Sequence, residues 1–248
     1  MKIIGMIHLD SLPGYPQHKT MKSVVDNALK DAEALEKGGV DAILLENTYD
    51  DPHTKKVGAE IIAAYTAVAL EVKRAVKIPI GICVLWNDYK AALAIAKVVG
   101  ATFVRVPIFI EAAVTASGII EGEPYNVISY RKKLDAENIG ILADVQVKHA
   151  GHLVTRAIED SAMEAIDFQA DQLIITGKRT GDSPVIDDLK RVRKALPKAI
   201  IVVGSGTTPE NIKELSRFAD AVIVGTFFKK KGRIDETKVK LLISKNSS

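Results

Sequence analysis

Along the chain, short runs of β-branched and other apolar residues alternate with longer stretches whose apolar positions recur every three or four residues. The short runs are Lys2–Ile7, Ala42–Leu45, Ile80–Leu85, Phe103–Val106, Gly140–Val145, Gln172–Ile175, Ala199–Val203 and Ala221–Val224. They are almost continuously apolar, as strands of a parallel sheet covered on both faces must be. The longer stretches are Ser23–Lys37, Ala59–Ala75, Lys90–Val99, Ile128–Leu134, Thr155–Phe168, Ile186–Leu196 and Pro209–Phe218. Charges fall between their apolar positions, which predicts helices packed on one face.

The punctuation agrees. Gly38-Gly39 and Gly100 stand where a left-handed helix cap is needed, and Thr208-Pro209 opens the seventh helix with a hydroxyl followed by proline. Three helices lead into the next strand through a small residue and an acid: Gly39-Val40-Asp41-Ala42, Ala170-Asp171 and Ala219-Asp220-Ala221. That repeat predicts quasi-equivalent strand–helix units. Eight alternations with no linker predict one α/β domain over residues 1–248, a closed (β/α)₈ TIM barrel, and the 248 residues suit a barrel of roughly 250. The loops that follow strands at His8–Met21, Asn47–Val57 and Pro107–Tyr125 are long. In such barrels chemistry sits on loops of that kind.

Composition narrows the function classes. With 34 basic and 31 acidic residues the net charge is +3, which gives no reason to expect nucleic acid. Cys83 is the only cysteine, so neither an intrachain disulfide nor a cysteine zinc site can form, and a reducing, cytoplasmic setting is expected. The apolar run at Met1–His8 is too short for a signal peptide, and no run reaches the roughly 18 residues of a membrane span. The one local bias, Lys229-Lys230-Lys231 with Arg233, reads either as help in holding an anion or as a solvated basic segment.

Candidate chemistry concentrates at the ends of the strands. The seventh runs into Val203-Gly204-Ser205-Gly206-Thr207-Thr208 and the eighth into Val224-Gly225-Thr226. Glycine lets a backbone approach an anion closely, and the turns after strands 7 and 8 are the usual phosphate site of this architecture. Gly204, Ser205, Gly206, Gly225 and Thr226 are therefore the candidate phosphate-binding residues. Because side chains alternate along a strand, Asp144, Gln146 and Lys148 share a face, Glu46 shares one with Leu44, and Asn87 with Cys83 and Leu85. Arg105 shares one with Pro107. If these faces point inward, the barrel mouth gathers Glu46, Asn87, Arg105, Asp144 and Lys148, and charges are rarely buried without partners or purpose. Glu46 is read as a partner of Arg105 or as a catalytic group. Asp144 is read as a general base, Lys148 as a plain charge in preference to a Schiff-base amine, and His8 as an acid–base group. His149 is expected to face outward. Asn87, Asp88, Arg105, Thr176 and Gly177 are assigned to substrate binding. The oxygens of Glu46, Asn87 and Asp144 could hold Mg²⁺, whereas no spacing specifies a transition metal. Lys178 and Arg179, in a glycine-flanked loop after strand 6, read as substrate contacts or as solvated charge. Trp86 reads as lining the pocket or packing under a lid.

Together these segments resemble the BtpA/SgcQ family. The resemblance rests on Ile4-Gly5-Met6-Ile7-His8-Leu9 with Leu12-Pro13-Gly14, and on Gly38-Gly39-Val40-Asp41-Ala42 leading to Glu46-Asn47. It continues through Val84-Leu85-Trp86-Asn87-Asp88 with Ala91-Ala92-Leu93-Ala94-Ile95-Ala96, Phe103-Val104-Arg105-Val106, and Ala143-Asp144-Val145-Gln146-Val147-Lys148-His149-Ala150. Thr176-Gly177 with Thr180-Gly181, Val203-Gly204-Ser205-Gly206 and Val224-Gly225-Thr226 complete it. Pro107-Ile108-Phe109 departs from the more polar loop start expected there. The resemblance implies a barrel of the ribulose-phosphate-binding class. It also implies kinship with a protein needed for photosystem I accumulation and with relatives found beside sugar-uptake genes, but no settled reaction.

Two functions are expected to compete. One is an enzyme (a lyase, isomerase or glycosyl-bond hydrolase) acting on a small phosphorylated sugar or nucleotide-like compound, with no certain cofactor. The other is a non-catalytic biogenesis or assembly factor for a membrane protein complex. Barrels of this class often associate, so a homo-oligomer is expected.

Overall fold

The computed structural model of the chain describes residues 1–177 and 181–247. Eight parallel strands close into a barrel: β1 (Lys2–His8), β2 (Ala42–Glu46), β3 (Ile80–Cys83), β4 (Phe103–Val106), β7 (Gly140–Val145), β9 (Gln172–Ile175), β10 (Ile201–Val203) and β11 (Ala221–Val224). Between them run α1 (Met21–Gly38), α2 (Ala59–Ala75), α3 (Tyr89–Val99), α4 (Pro124–Lys133), α5 (Ile158–Asp167), α6 (Ile186–Ala195) and α7 (Ile212–Leu215), with α8 (Glu236–Ser247) last. Three additional short strands, β5 (Ala112–Thr115), β6 (Gly118–Glu121) and β8 (Gly151–His152), form a small antiparallel sheet in the loops after β4 and β7. A two-residue pair, β12 (Lys229–Lys230) and β13 (Arg233–Ile234), precedes α8.

Two apolar layers result from strand alternation. Ile4, Met6, Ala42, Leu44, Cys83, Phe103, Leu142, Ile174, Val202, Ala221 and Ile223 fill the barrel interior. Their neighbours, such as Ile3, Ile43, Val104, Ile141 and Val222, face the helices. Truncating a fully buried residue such as Leu44 to Ala would cost about 2–5 kcal/mol. Gly81 is required here, because a Cβ on it would overlap the Phe103 ring that plugs the barrel floor.

The repeated small-plus-acid junction is structurally equivalent in all three places. Asp41 donates its N–H to Ile3 O and accepts the Ile3 N–H on its carboxylate. Asp171 does the same with Ile141, and Asp220 with Ile201. Each carboxylate also takes a cation: Lys2, Arg131 and Arg193 respectively. Gly39 and Gly100 cap α1 and α3 in the left-handed conformation, with φ of 94° and 72°.

Two expectations need correction. The seventh helix does not begin at Thr208-Pro209. The Thr208 N–H donates to Asn211 Oδ1 and Asn211 Nδ2 donates to Gly206 O, both at 2.8 Å, so this side chain closes residues 206–211 as a turn. Only the single turn of α7 follows. The second correction is α8, whose residues show no clear stripe in the sequence. It forms because Val239 and Leu242 bury themselves, with Val239 seated where Gly38 leaves room. No helix among the described residues is long and apolar enough to cross a membrane.

Candidate functional site

Strand register carries four polar side chains inward at the C-terminal end of the barrel. His8 lies beside Glu46 where β1 pairs with β2. Arg105 is on β4 beside Leu142, and Asp144 stands two residues further along β7. Arg105 donates from Nε and Nη2 to the two oxygens of Asp144, at 2.8 and 2.7 Å, and from Nη1 to Glu46 Oε2 at 3.2 Å. Arg105, Glu46 and Asp144 are each at most 7% exposed as residues, so the pairing is what lets three charges stand there. The Thr48 hydroxyl donates to the remaining Glu46 oxygen at 2.6 Å, and His8 Nε2 lies 3.9 Å from that oxygen.

These contacts set the protonation states. Burial would raise Glu46, but the Arg105 charge and the Thr48 hydroxyl outweigh it and hold the carboxyl at about 2. Burial pushes His8 down to about 4 against the pull of Glu46, which leaves a neutral imidazole at physiological pH. Lys148 is lowered by burial and by the like charge of Arg105. Arg105 is held charged: its two carboxylates overcome the opposing effect of burial.

Above this layer opens a cavity of about 510 Å³. Glu46, Arg105, His8 and Lys148 border it together with Gly204, Ser205, Gly206, Gly225 and Thr226. The two glycine turns therefore share one cavity with the charged layer. Gly225 is fixed by packing as well, since a Cβ there would sit 2.8 Å from His8 Cε1. Among the described residues, the main-chain N–H groups of Ser205, Gly206, Thr207, Gly225, Thr226 and Phe227 donate to no protein acceptor. The Thr207 hydroxyl is buried in the cavity wall without a partner, although the residue is only 3% exposed. A buried hydroxyl left unpaired is costly unless a ligand completes it.

Several residues stand elsewhere than the sequence implied. Asp144 does not border the cavity. Both its oxygens are engaged by Arg105, so the general-base role is not open to it. Asn87 is turned away from the mouth: its amide bonds Ile108 at both O and N, joining the loops after β3 and β4. Asp88 caps α3 through Ala91 N and also accepts the Val57 N–H. Both residues border a separate, smaller depression with Lys55, Lys56 and Lys90. The Mg²⁺ set of Glu46, Asn87 and Asp144 is thus not assembled, and two of its members are committed to Arg105. Among the described residues no three His, Cys, Asp or Glu side chains form a metal site.

Gln146, just after β7, breaks that strand's parity with φ of 51° and bonds Arg156 O and Ser161 Oγ toward α5, while Lys148 returns to the mouth. Thr176 and Gly177 lie behind the turn. The Gly177 N–H donates to Ser205 Oγ, which itself donates to Asp182 O, so the Ser205 side chain ties two loops together. Lys178 and Arg179 lie outside the described residues. His149 borders the cavity instead of facing away from it. The basic C-terminal segment is mostly paired, with Lys229 on the Tyr49 hydroxyl, Lys230 by Asp235, and Arg233 on Asp10 and Asp31.

Other lining residues were not legible beforehand. Thr48, His53 and Phe227 border the cavity, and His53 Nε2 is a buried atom without a partner. His53 arrives on a long loop with no periodic signal to place it. Trp86 does line the cavity, and it also packs against Ile108, Ala113, Ile120 and Val147 beneath the β5–β6–β8 sheet.

Comparison with known proteins places this arrangement in a family. The BtpA family profile matches residues 1–248. The chain belongs to the BtpA family. An uncharacterised protein of Archaeoglobus fulgidus is 44% identical over 241 residues, spanning 97% of this chain and 96% of that one. The photosystem I biogenesis protein BtpA of Synechocystis is 37% identical over 237 residues, covering 94% and 82%. Among solved structures, thiamine phosphate pyrophosphorylase from Pyrococcus furiosus superposes with a TM-score of 0.63 at 16% identity, covering 99% of this chain and 95% of its own. This BtpA-family chain thus shares the TIM-barrel fold of that enzyme.

Proposed function

We propose that this BtpA-family barrel is an enzyme acting on a small phosphorylated sugar or nucleotide-like compound bound at the C-terminal mouth. One observation carries the reading: the unpartnered Thr207 hydroxyl and the uncommitted N–H groups of two adjacent glycine turns border the same cavity as Lys148, His8 and Glu46. Backbone donors aimed at an anion are the common phosphate device of these barrels. Ser205, Gly206, Gly225 and Thr226 would then hold phosphate through main-chain N–H groups, with the Thr207 hydroxyl added and the Ser205 side chain serving the turn itself; the Gly204 N–H, expected among these donors, is spent on Ile175 O and leaves Gly204 only the bend of the turn. His8 is the neutral acid–base group. Glu46 orients His8 and balances charge, and Arg105 stabilises developing negative charge at the cavity floor while Asp144 holds it in place. Lyase and isomerase chemistry suit this set.

The test is thermal unfolding with inorganic phosphate and a panel of sugar phosphates. A ligand present at a hundred times its Kd adds about 2.7 kcal/mol, which raises the melting temperature by roughly 5–11 °C in a domain of this size. No rise with any phosphorylated compound, together with none from inorganic phosphate, would sink the reading.

A docking role in assembly has one observation in its favour. Val114 and Ile119 face each other across β5 and β6 and are 44% and 49% exposed, and Leu153 and Val154 beyond β8 are exposed nearby. The same patch suits a homo-oligomer. Light scattering of wild type against Val114→Lys distinguishes a self-association surface from one that faces another partner.

A further inference from the structure

Among the described residues Lys148 is the one amine side chain bordering the cavity. The carboxylates of the mouth, Glu46 and Asp144, are both paired with Arg105. Among the described residues the Lys148 amine forms no ion pair. The amine is half-buried, and burial with the like charge of Arg105 lowers it against the pull of Glu46, Asp144 and Asp182. Desolvation beside a cation favours the free amine, which is the nucleophilic form. The cavity also supplies imidazoles to carry protons, since His8 and His53 both border it.

We propose that the Lys148 ε-amine condenses with the carbonyl carbon of a phosphorylated aldehyde or ketone whose phosphate rests on the Gly204–Thr207 and Gly225–Phe227 turns. This rests on the phosphate-binding reading above and names the substrate class within it. The amine nitrogen attacks the carbonyl carbon and the π pair moves to oxygen. A proton passes from nitrogen to oxygen, giving a carbinolamine. Its hydroxyl takes up one further proton and leaves as water, while the nitrogen lone pair closes the C=N bond. The sum is amine plus carbonyl plus one proton giving iminium plus water, with no oxidant or reductant. The neutral His8 imidazole is the group suited to move these protons. The iminium then accepts electrons from a neighbouring C–H or C–C bond, which selects isomerase or lyase chemistry over glycosyl hydrolysis.

The test is borohydride trapping on the full-length protein. The protein is incubated with dihydroxyacetone phosphate or glyceraldehyde 3-phosphate, reduced with sodium borohydride, digested and mapped by mass spectrometry. Hydride addition to the iminium carbon leaves a stable secondary amine. The expected result is an adduct on the Lys148 peptide about tenfold above that on an exposed lysine such as Lys22, because the anchored phosphate holds the carbonyl beside the Lys148 amine. Inorganic phosphate should suppress the adduct. Lys148→Arg, checked for folding by circular dichroism, should lack it. Labelling of Lys148 no greater than that of Lys22 overturns the imine, and if phosphate still stabilises the protein, the phosphate site survives that failure. Equal labelling by unphosphorylated dihydroxyacetone, insensitive to phosphate, overturns the phosphorylated substrate and the proposed function with it.

Discussion

Asp144→Asn is nearly isosteric, yet it removes the charge facing Nε and Nη2 of Arg105. An amide offers one acceptor oxygen where the carboxylate offered two, so one guanidinium N–H is left facing an NH₂ group. At 6% exposure Arg105 cannot turn to water for relief. Breaking one side of a buried pair costs about 3–5 kcal/mol, and the surviving contact to Glu46 at 3.2 Å places the expected loss near the lower end, about 3 kcal/mol. For a domain of this size each kcal/mol shifts the melting temperature by roughly 2–4 °C, so a fall of about 6–12 °C follows. The assay is thermal unfolding by circular dichroism of wild type, Asp144→Asn, Arg105→Met and the double variant. The double variant removes the stranded cation together with its partner, so the losses should fall short of additivity by about 1–3 kcal/mol. A melting temperature within about 2 °C of wild type, or strict additivity, would refute the view that Asp144 exists to hold Arg105.

The pH dependence follows from the two depressed groups. His8 falls from 6.5 to about 4 and Glu46 from 4.5 to about 2, so each contributes stability that is complete above its unfolded value and is lost as pH falls toward its folded one. Each window is worth about 3 kcal/mol, and urea unfolding of His8→Gln should show the loss between pH 6.5 and 4 removed while the lower window persists. Thr207→Val should leave the stability of the ligand-free protein unchanged or slightly higher, because the hydroxyl has no protein partner, yet reduce the thermal shift from inorganic phosphate. Gly225→Ala should cost about 1–3 kcal/mol, because the new methyl would lie 2.8 Å from His8 Cε1 and 3.3 Å from Met6 Cβ; normal stability in chemical unfolding would contradict that packing.

What could be read from the chain alone was whatever depends on neighbours in sequence. Strand and helix periods, the left-handed caps at Gly39 and Gly100, and the acids at Asp41, Asp171 and Asp220 are local choices, and the barrel follows from their repetition. Alternation also put Glu46, Arg105 and Asp144 on inward faces. It could not say which of them would meet. Arg105 reaches Asp144 across 39 residues and Glu46 across 59, and the strand register around the closed barrel decides those distances. Register likewise leaves Asp144 sealed under Arg105, although its residue type and position matched those of a base. Loops were less legible still. A left-handed residue at Gln146 reverses a face, Asn87 turns to Ile108, and Asn211 closes a turn where proline had signalled a helix. Each outcome is a competition for hydrogen bonds among groups far apart in sequence. Only the folded arrangement settles which donor finds which acceptor, and which, like the Thr207 hydroxyl, is left without a partner among the described residues.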